Sequence, residues 1–302
     1  MNRWTKIIIL TFFALAACGG TPPQPVARET VPLTDVSHME NEFAGLARAQ
    51  VDFWNSQDQK AAHTLFTEDA SFLDWTFGDH VEGPDAIYGI VAAVAASDPD
   101  WHSSAREWFV GRQDGIAVSD MWNVNLGYGM YTREHPLVEV DWLHLRAGQI
   151  YSWRIMYGFD SLDKSNFMLT SRADEIRALL TSYQTAWSSG DPQQVADLYA
   201  SDGVRQEPLL GVKQEGREAI LSYAKSFFAW YPSVQWEFTQ PFGEVAPKTP
   251  LSGGIFTIHA LGSDGKPCDV RAAVLLQDTA GKINHEYVYY DTHSLIKCGW
   301  AW

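Results

Sequence analysis

The sequence EGPDAI at residues 82–87 returns as EGREAI at residues 215–220, and this recurrence decides how the chain is organised. The two segments are 133 positions apart, and the same offset relates residues on both sides of them over about 108 positions. One offset held over that length indicates two copies of one domain, and it is far too long for a solenoid repeat. The related pairs are Trp54 and Trp187, Asp58 and Asp191, Leu65 and Leu198, Asp69 and Asp202, Gly83 and Gly216, Ala147 and Ala280, and Ser161 and Ser294.

Each copy reads as helices followed by strands. In the second copy, Ile176, Leu180 and Tyr183 follow the helical period, and Asp191 with Pro192 marks the start of a second helix. A third helix is expected after each Glu-Gly pair, and runs of aromatic and β-branched residues then predict antiparallel strands, which together make an α+β domain. The predicted strands are 104–111, 118–131, 137–145 and 149–159, then 235–242, 254–261, 270–277 and 282–290.

The end of the second copy carries a more specific pattern. Residues 282–291 read KINHEYVYYD, and with the Glu-Gly-x-x-Ala-Ile segment they resemble the SnoaL-like polyketide cyclase group of the nuclear transport factor 2-like superfamily. That family's last strand has Ile, an acid three positions on, Arg four on, and Tyr-aromatic-Asp at six to eight. The second copy matches at Ile283, Glu286 and 289–291, with Tyr287 in place of the Arg.

The first copy matches this pattern less fully. It has Ile150 and Arg154 in the expected places, but Gly158 stands where the family has Asp. The resemblance implies an α+β fold of two tandem cone-shaped domains, in which helices pack on a curved antiparallel sheet. We place them at residues 39–166 and 167–302 and expect domain 1 to pair with domain 2 as an intrachain pseudo-dimer.

The resemblance also implies an apolar pocket, where enzymes of the superfamily use a carboxylate to remove a proton beside a carbonyl. Asp291 is the candidate base. Because side chains alternate along a strand, Tyr289, Tyr287 and His285 share its face and are candidate donors or proton shuttles. The competing interpretation is that Asp291 ends the strand as a turn or cap residue and that the tyrosines are core.

The first copy has a polar set of its own. Glu139, Asp141, Arg154 and Asp160 share one strand parity, whereas the other parity is apolar. We expect the apolar set to face the interior, so that the charges lie on a solvated surface and Arg154 forms a salt bridge there. We then expect the first copy to be less suited to catalysis than the second.

Aromatic residues are abundant, with 13 tryptophans in the chain. Aromatic walls suit flat apolar ligands, and the alternative is that these rings fill two cores. Phosphate-binding loops, a nucleophile elbow and metal-ligand spacings are absent from the sequence, so we expect no cofactor and no metal. The candidate ligand-binding residues are Trp142, Trp153, Tyr157, Trp187 and Trp236.

The N-terminus predicts export. Arg3 and Lys6 precede an apolar run at 7–15, which is too short for a spanning helix but long enough for a signal-peptide core. The small residues before Cys18 resemble the lipobox of bacterial lipoproteins, and the alternative is an ordinary signal peptide with a chance cysteine. We therefore expect a signal peptide at 1–17 and a lipid anchor at Cys18, in the outer membrane if the host is Gram-negative.

The following segment, 18–38, is rich in proline and predicts a flexible tether to a body outside the cytoplasm. Removing Arg3 and Lys6 with the signal peptide changes the net charge from −15 to −17. Such acidity argues against binding to nucleic acid. In an oxidising compartment Cys268 and Cys298 favour one disulfide over free thiols or a metal pair.

Three functions remain open on the sequence. The first is a lipoprotein that binds a small apolar or aromatic ligand. The second is a cofactor-independent cyclase or isomerase that acts through Asp291. The third is a structural pairing module. The loss of the Asp in copy one favours binding or structure, while the Tyr-Tyr-Asp of copy two keeps catalysis open.

Overall fold

The computed structural model describes residues 33–74, 79–112, 118–132, 135–159, 171–244, 251–262 and 264–299. The α+β prediction is confirmed, and the two copies share one order of elements. The first copy contains α1 (Leu33–Ser56), α2 (Gln59–Leu65), β1 (Phe66–Asp74), β2 (Asp79–Glu82), α3 (Pro84–Ser97), β3 (Ser103–Arg112), β4 (Val118–Thr132), β5 (His135–Arg146) and β6 (Gln149–Gly158). The second contains α4 (Ser171–Ser188), α5 (Pro192–Asp197), β7 (Tyr199–Glu207), β8 (Val212–Glu215), α6 (Arg217–Trp230), β9 (Gln235–Gly243), β10 (Leu251–Leu261), β11 (Pro267–Thr279), β12 (Lys282–Tyr290) and α7 (Thr292–Lys297).

The recurring sequence signals act at the helix starts. Asp58 caps α2 by accepting from the backbone N–H of Lys60, and Asp191 caps α5 in the same way, as predicted. Gly83 and Gly216 precede α3 and α6 with φ of 84° and 83°. That left-handed region favours glycine, which accounts for the repeated glycine of the Glu-Gly pair.

One expectation about the tether differs from the structure. The predicted tether ends at residue 38, but α1 begins at Leu33. Cys18, the signal peptide and Asp160 lie outside the described residues, and no helix within the described ranges is long and apolar enough to cross a membrane.

The two copies join through their sheets. Tyr157 and Gly158 of β6 pair with Gly243 and Phe242 of β9, and Tyr290 of β12 pairs with Val110 of β3. The contacts Tyr157–Gly243 and Tyr290–Val110 are related by the same offset of 133 positions, so they are pseudo-symmetric. With the β11–β12 pairing, these links close eight strands into a ring, β3-β4-β5-β6-β9-β10-β11-β12.

This arrangement gives each sheet two buried faces. One face packs under the helices of its own domain, and the other packs against the sheet of the other domain. Arg154 forms a salt bridge, as predicted, but with the buried Glu244 of the second domain. The second domain makes the reciprocal contact, because Arg271 lies 3.0 Å from both carboxylate oxygens of Glu107 in the first domain. The interdomain core contains Phe109, Val138, Val140, Trp142, Met156, Phe242, Leu251, Ile255, Ala273, Leu275 and Tyr289.

A disulfide closes the end of the second copy. It joins Cys268 at the start of β11 to Cys298 after α7, with the Cα atoms 5.6 Å apart and 30 positions between them. The bond therefore fixes the last helix to the β10–β11 hairpin. The first copy has no cysteine at the equivalent positions of its sequence.

Candidate functional site

The interior of the second domain contains charged residues that sequence reasoning missed. Arg205 and Glu207 lie on β7, Glu286 lies on β12, and all three are fully buried. Arg205 is paired with Glu286 in the strand register. Its guanidinium lies 2.7 Å from Glu207 (Nη1 to Oε1) and 3.2 Å from Glu286 (Nε to Oε2).

Four tyrosines donate hydrogen bonds to the two glutamates. Tyr183 and Tyr199 donate to the two carboxylate oxygens of Glu286. Tyr223 and Tyr290 donate to Glu207 Oε1 at 2.6 and 2.9 Å. Burial raises the pKa of Tyr183, Tyr199 and Tyr290 well above the usual value, and the nearby glutamates raise it further. These phenols therefore stay protonated and act as donors.

The charge of Arg205 is held between rings as well as acids. Its Cζ lies 5.0 Å from the ring centre of Trp187 and 4.5 Å from that of Tyr223, which are cation–π distances. Burial opposes its charge, but Glu207 and Glu286 outweigh burial and raise the pKa of Arg205 well above its usual value. The second interior thus contains its own cation, enclosed by acids and aromatic rings.

Among the residues that the structure describes, the interior of the first domain contains the buried carboxyl groups of Asp74, Glu139 and Asp141. Tyr157 donates to Asp74 Oδ2 at 2.7 Å. Asp141 accepts from Trp153 Nε1 at 2.7 Å and from Gln50 Nε2 at 3.3 Å. These donors come from α1 and β6, so the acids lie where the helices meet the sheet.

Glu139 is the exceptional member of this group. It is 2% exposed, and its Oε2 has no hydrogen-bond partner among the described residues. Burial, then the charges of Asp141 and Asp74, raise its pKa well above the usual value. Burial and the two neighbouring acids therefore favour the neutral form of Glu139, which lies beside Asp74, Asp141 and the phenol of Tyr157.

The two interiors occupy equivalent places in the fold. The strand register that pairs Arg205 with Glu286 pairs Phe72 with Trp153 in the first copy. Their ring centres are 4.9 Å apart in an edge-to-face contact. The bond from Tyr157 to Asp74 likewise corresponds to that from Tyr290 to Glu207, at the same offset of 133 positions. The second copy thus has an ion pair where the first copy has a pair of aromatic rings. The tyrosine–carboxylate hydrogen bond is present in both copies.

The expectation that Glu139 and Asp141 lie on a solvated surface is wrong. In β5 they face the domain interior, and Val138, Val140 and Trp142 face the second domain. The cross-strand partners explain the error, because Glu139 opposes Tyr157 and Asp141 opposes Ile155. Polar residues of β5 thus share a face with apolar residues of β6. Alternation within one strand therefore does not show, from sequence alone, which residues of the next strand lie on the same face.

Asp291 lies just beyond β12, where it caps α7. Its carboxylate accepts from the backbone N–H of His293 and Ser294, which is the cap role weighed against catalysis. Tyr289 and Tyr287 do share a face of β12 with His285. The ring centre of Tyr287 lies 5.5 Å from that of His285 and 6.5 Å from that of Tyr289. That face points toward the first domain. Whether these residues carry chemistry stays a prediction.

The candidate aromatic residues divide between the two cores. Trp153 and Tyr157 lie in the interior of the first domain, and Trp187 and Trp236 lie in that of the second, 5.6 Å apart. Trp142 instead lies in the interdomain core, where its ring centre is 5.7 Å from that of Tyr287. Two groups that the sequence analysis kept separate therefore meet across the domain boundary.

Some signals for the missed residues were present in the sequence. Arg205 and Glu207 alternate in a segment that aligns with Phe72 and Asp74 of the first copy, and Glu286 holds the family's acid position. Within the described ranges, no cluster of three or more His, Cys, Asp or Glu side chains is arranged to hold a metal ion.

The repeated packing of helices on a curved sheet, with charged residues inside each domain, defines a tandem α+β protein. The SnoaL-like domain model matches residues 47–153 and 180–285, so the chain belongs to the SnoaL-like domain family. A search of curated proteins finds no match.

Several solved structures are similar to part of this chain. A hypothetical protein with a ketosteroid isomerase-like fold from Catenulispora acidiphila, in complex with trimethylamine, is 20% identical over 40% of this chain and 91% of its own, with a TM-score of 0.37. IdmH of Streptomyces antibioticus, provisionally described as a polyketide cyclase, is 16% identical over 40% and 96%, with a TM-score of 0.34. An uncharacterised Caulobacter vibrioides protein with a cystatin-like fold is 20% identical over 42% and 95%, with a TM-score of 0.35.

Proposed function

We propose that the first domain binds a small apolar or aromatic ligand that carries a hydrogen-bond-donating group. The observation that carries this proposal is the buried Glu139 oxygen without a hydrogen-bond partner. Leaving a buried polar atom unpaired costs about 1–3 kcal/mol, so a ligand donor that reaches Glu139 recovers that free energy.

The surroundings of the acids suit such a ligand. Trp153 contacts Trp54 and Phe66 at 5.7 Å and Phe72 at 4.9 Å between ring centres, which makes a continuous aromatic wall beside Asp141. An apolar wall with a few convergent polar groups is typical of small-molecule sites. A groove of about 470 Å³ between α1, α2 and β5 reaches Ala49, the neighbour of Gln50.

Mass spectrometry of small molecules extracted from the purified mature protein tests this proposal. We expect a co-purifying molecule that is retained by the wild-type chain and by Glu218→Gln, an exposed control on α6, and depleted in Glu139→Gln. Equal retention in Glu139→Gln and wild type would remove the first interior as the site. An empty protein from several expression hosts would count against ligand binding altogether.

The location of the protein is part of the same proposal. The sequence before Cys18 supports lipidation, and the segment after it supports a tether that presents the body outside the cytoplasm. Cys18→Ser should abolish labelling with a fatty-acid probe and release the chain from the membrane fraction or leave it unprocessed. A processed Cys18→Ser protein that stays in the membrane would refute the anchor.

A second candidate function, cofactor-independent proton transfer, is favoured by the raised pKa of Glu139. A neutral Glu139 can donate to an enolate oxygen, while Asp74, which accepts from Tyr157, can act as base. Exchange of the protons beside the carbonyl of a bound ketone with solvent deuterium, followed by NMR, tests this. Asp74→Asn should abolish the exchange. If exchange persists in Asp74→Asn but is lost in Asp291→Asn, the catalytic base is Asp291 of the second domain.

A further inference from the structure

The interior of the second domain surrounds the guanidinium of Arg205 in the way that a binding site surrounds a ligand. The side chain is fully buried, and its nitrogens lie 2.7 Å from Glu207 and 3.2 Å from Glu286. Two rings also contact the cation, because its Cζ is 5.0 Å from the ring centre of Trp187 and 4.5 Å from that of Tyr223. Carboxylates and aromatic faces are the groups with which proteins recognise organic cations.

The groups around Arg205 are held in place by contacts of their own. Each glutamate accepts hydrogen bonds from two tyrosines, which are Tyr183 and Tyr199 for Glu286, and Tyr223 and Tyr290 for Glu207. Trp187 packs against Phe227 and Trp236, with ring centres 5.3 and 5.6 Å away. Shortening Arg205 would therefore leave two positioned acids beside an aromatic wall, and buried carboxylates favour a cationic partner.

The attachment of the guanidinium to β7 limits how well it uses these acids. Its Nε, Nη1 and Nη2 atoms are buried, and none of them has an acceptor in hydrogen-bond geometry among the described residues. The approaches to Glu207 and Glu286 are thus ionic contacts without well-directed N–H bonds. A free guanidinium can rotate until its N–H groups point at the carboxylates, which gives stronger charge-assisted hydrogen bonds.

From these contacts we infer that the second interior is a guanidinium-binding site that the chain fills with its own Arg205 side chain. A free alkylguanidinium binds there when that side chain is shortened, and the intact side chain excludes it. Arg205 is therefore a built-in occupant that closes the second domain to ligands of this class. This site lies in a different interior from that of the proposed function, so either can fail without the other.

Ethylguanidinium is the matched probe, because it has the atoms that Arg205→Ala removes beyond Cβ. Ethylurea has the same shape without the charge, and propylammonium has a charge without the planar fork. Thermal unfolding and calorimetry on residues 18–302 with Cys18→Ser would compare the three at millimolar concentration. Ethylguanidinium should raise the unfolding midpoint of Arg205→Ala and bind it at least about tenfold tighter than ethylurea, because a charge partner of buried acids contributes strongly to affinity. Propylammonium should bind more weakly than ethylguanidinium, and the midpoint of the wild-type protein should not rise.

Two further variants complete the test. Arg146→Ala shortens an exposed arginine and should gain no stability from ethylguanidinium. Glu286→Gln added to Arg205→Ala should weaken ethylguanidinium by about tenfold or more, since it removes one of the two acids. Equal midpoint shifts with ethylguanidinium and ethylurea, no shift with either, or the same shift in the wild-type protein would overturn the inference. If Arg205→Ala does not fold by itself, refolding with ethylguanidinium but not with ethylurea supports the site, and failure with both overturns it.

Discussion

The two interiors of this chain show how one fold accommodates buried charge in two ways. The second encloses Arg205 with Glu286, and the first places Phe72 against Trp153 at the same register. A buried ion pair and an apolar pair of similar volume can substitute for each other with little net change in stability. The duplication therefore preserved the frame and left the chemistry of each interior to diverge.

The largest expected effect comes from removing the internal cation. Arg205→Met leaves Glu207 and Glu286 buried without their countercharge, which should lower the free energy of unfolding by about 3–5 kcal/mol. Urea unfolding followed by fluorescence and circular dichroism measures this loss. Arg146→Met, which breaks the exposed pair with Asp69 and a cation–π contact with Tyr151, should cost little. Equal losses of unfolding free energy would mean that the buried pairs of Arg205 with Glu207 and Glu286 stabilise the fold no more than an exposed pair does.

The disulfide is the next largest difference between the copies. Replacing Cys268 and Cys298 with alanine opens a loop of 30 positions and should cost about 3–4 kcal/mol, because the unfolded chain gains conformational freedom. The loss should fall on the second domain. Hydrogen exchange resolved by domain would show it there, and reduction of the wild-type protein should give the same pattern. Equal loss of protection in β5 and β6 would mean that the domains unfold as one unit.

Much of the fold could be predicted because its signals are local or repeated. The offset of 133 positions gives the duplication, and Asp58 and Asp191 mark helix starts by a cap that acts within two residues. The strands follow from their aromatic and β-branched runs. These features depend on neighbours along the chain, so a sequence is enough to find them.

The site could not be predicted to the same degree, because it depends on which face of each strand is buried. Both faces of β5 are buried, so alternation did not identify the interior, and Glu139 was assigned to the surface. Arg205 has no local signal that separates a buried arginine from an exposed one. Its partners Glu207 and Glu286 come together only through the parallel pairing of β7 and β12.

Matched isosteric changes in the two interiors should have opposite effects. Glu286→Gln breaks the buried pair with Arg205 and weakens the hydrogen bonds from Tyr183 and Tyr199, and these losses should outweigh the raised pKa that burial gives Glu286 and cost about 2 kcal/mol. Glu139→Gln removes a buried acid whose folded pKa is raised, so it should be neutral or stabilising near pH 7. Unfolding free energies of both variants against wild type measure the contrast.

The raised pKa of Glu139 predicts how the stability difference between wild type and Glu139→Gln changes with pH. The pKa of Glu139 is higher in the folded protein than its ordinary value of 4.5, so the folded state binds the proton more tightly. Its contribution to stability is complete below 4.5 and is lost as the pH rises through the folded pKa. Glu139→Gln should gain stability relative to wild type across that window and match it at lower pH. A constant difference at all pH values would contradict the assignment.

The smallest expected effect concerns Asp291, which has no equivalent in the first copy because Gly158 occupies its place. Asp291→Ala removes the cap of α7 and should cost about 1 kcal/mol, whereas Asp291→Asn should keep most of the stability, since asparagine caps equally well. The pair separates the cap from the predicted base. If Asp291→Asn is stable and still supports deuterium exchange into a bound ketone, then the side chain that the family pattern singled out acts as a helix cap, and its carboxylate charge is not needed for chemistry.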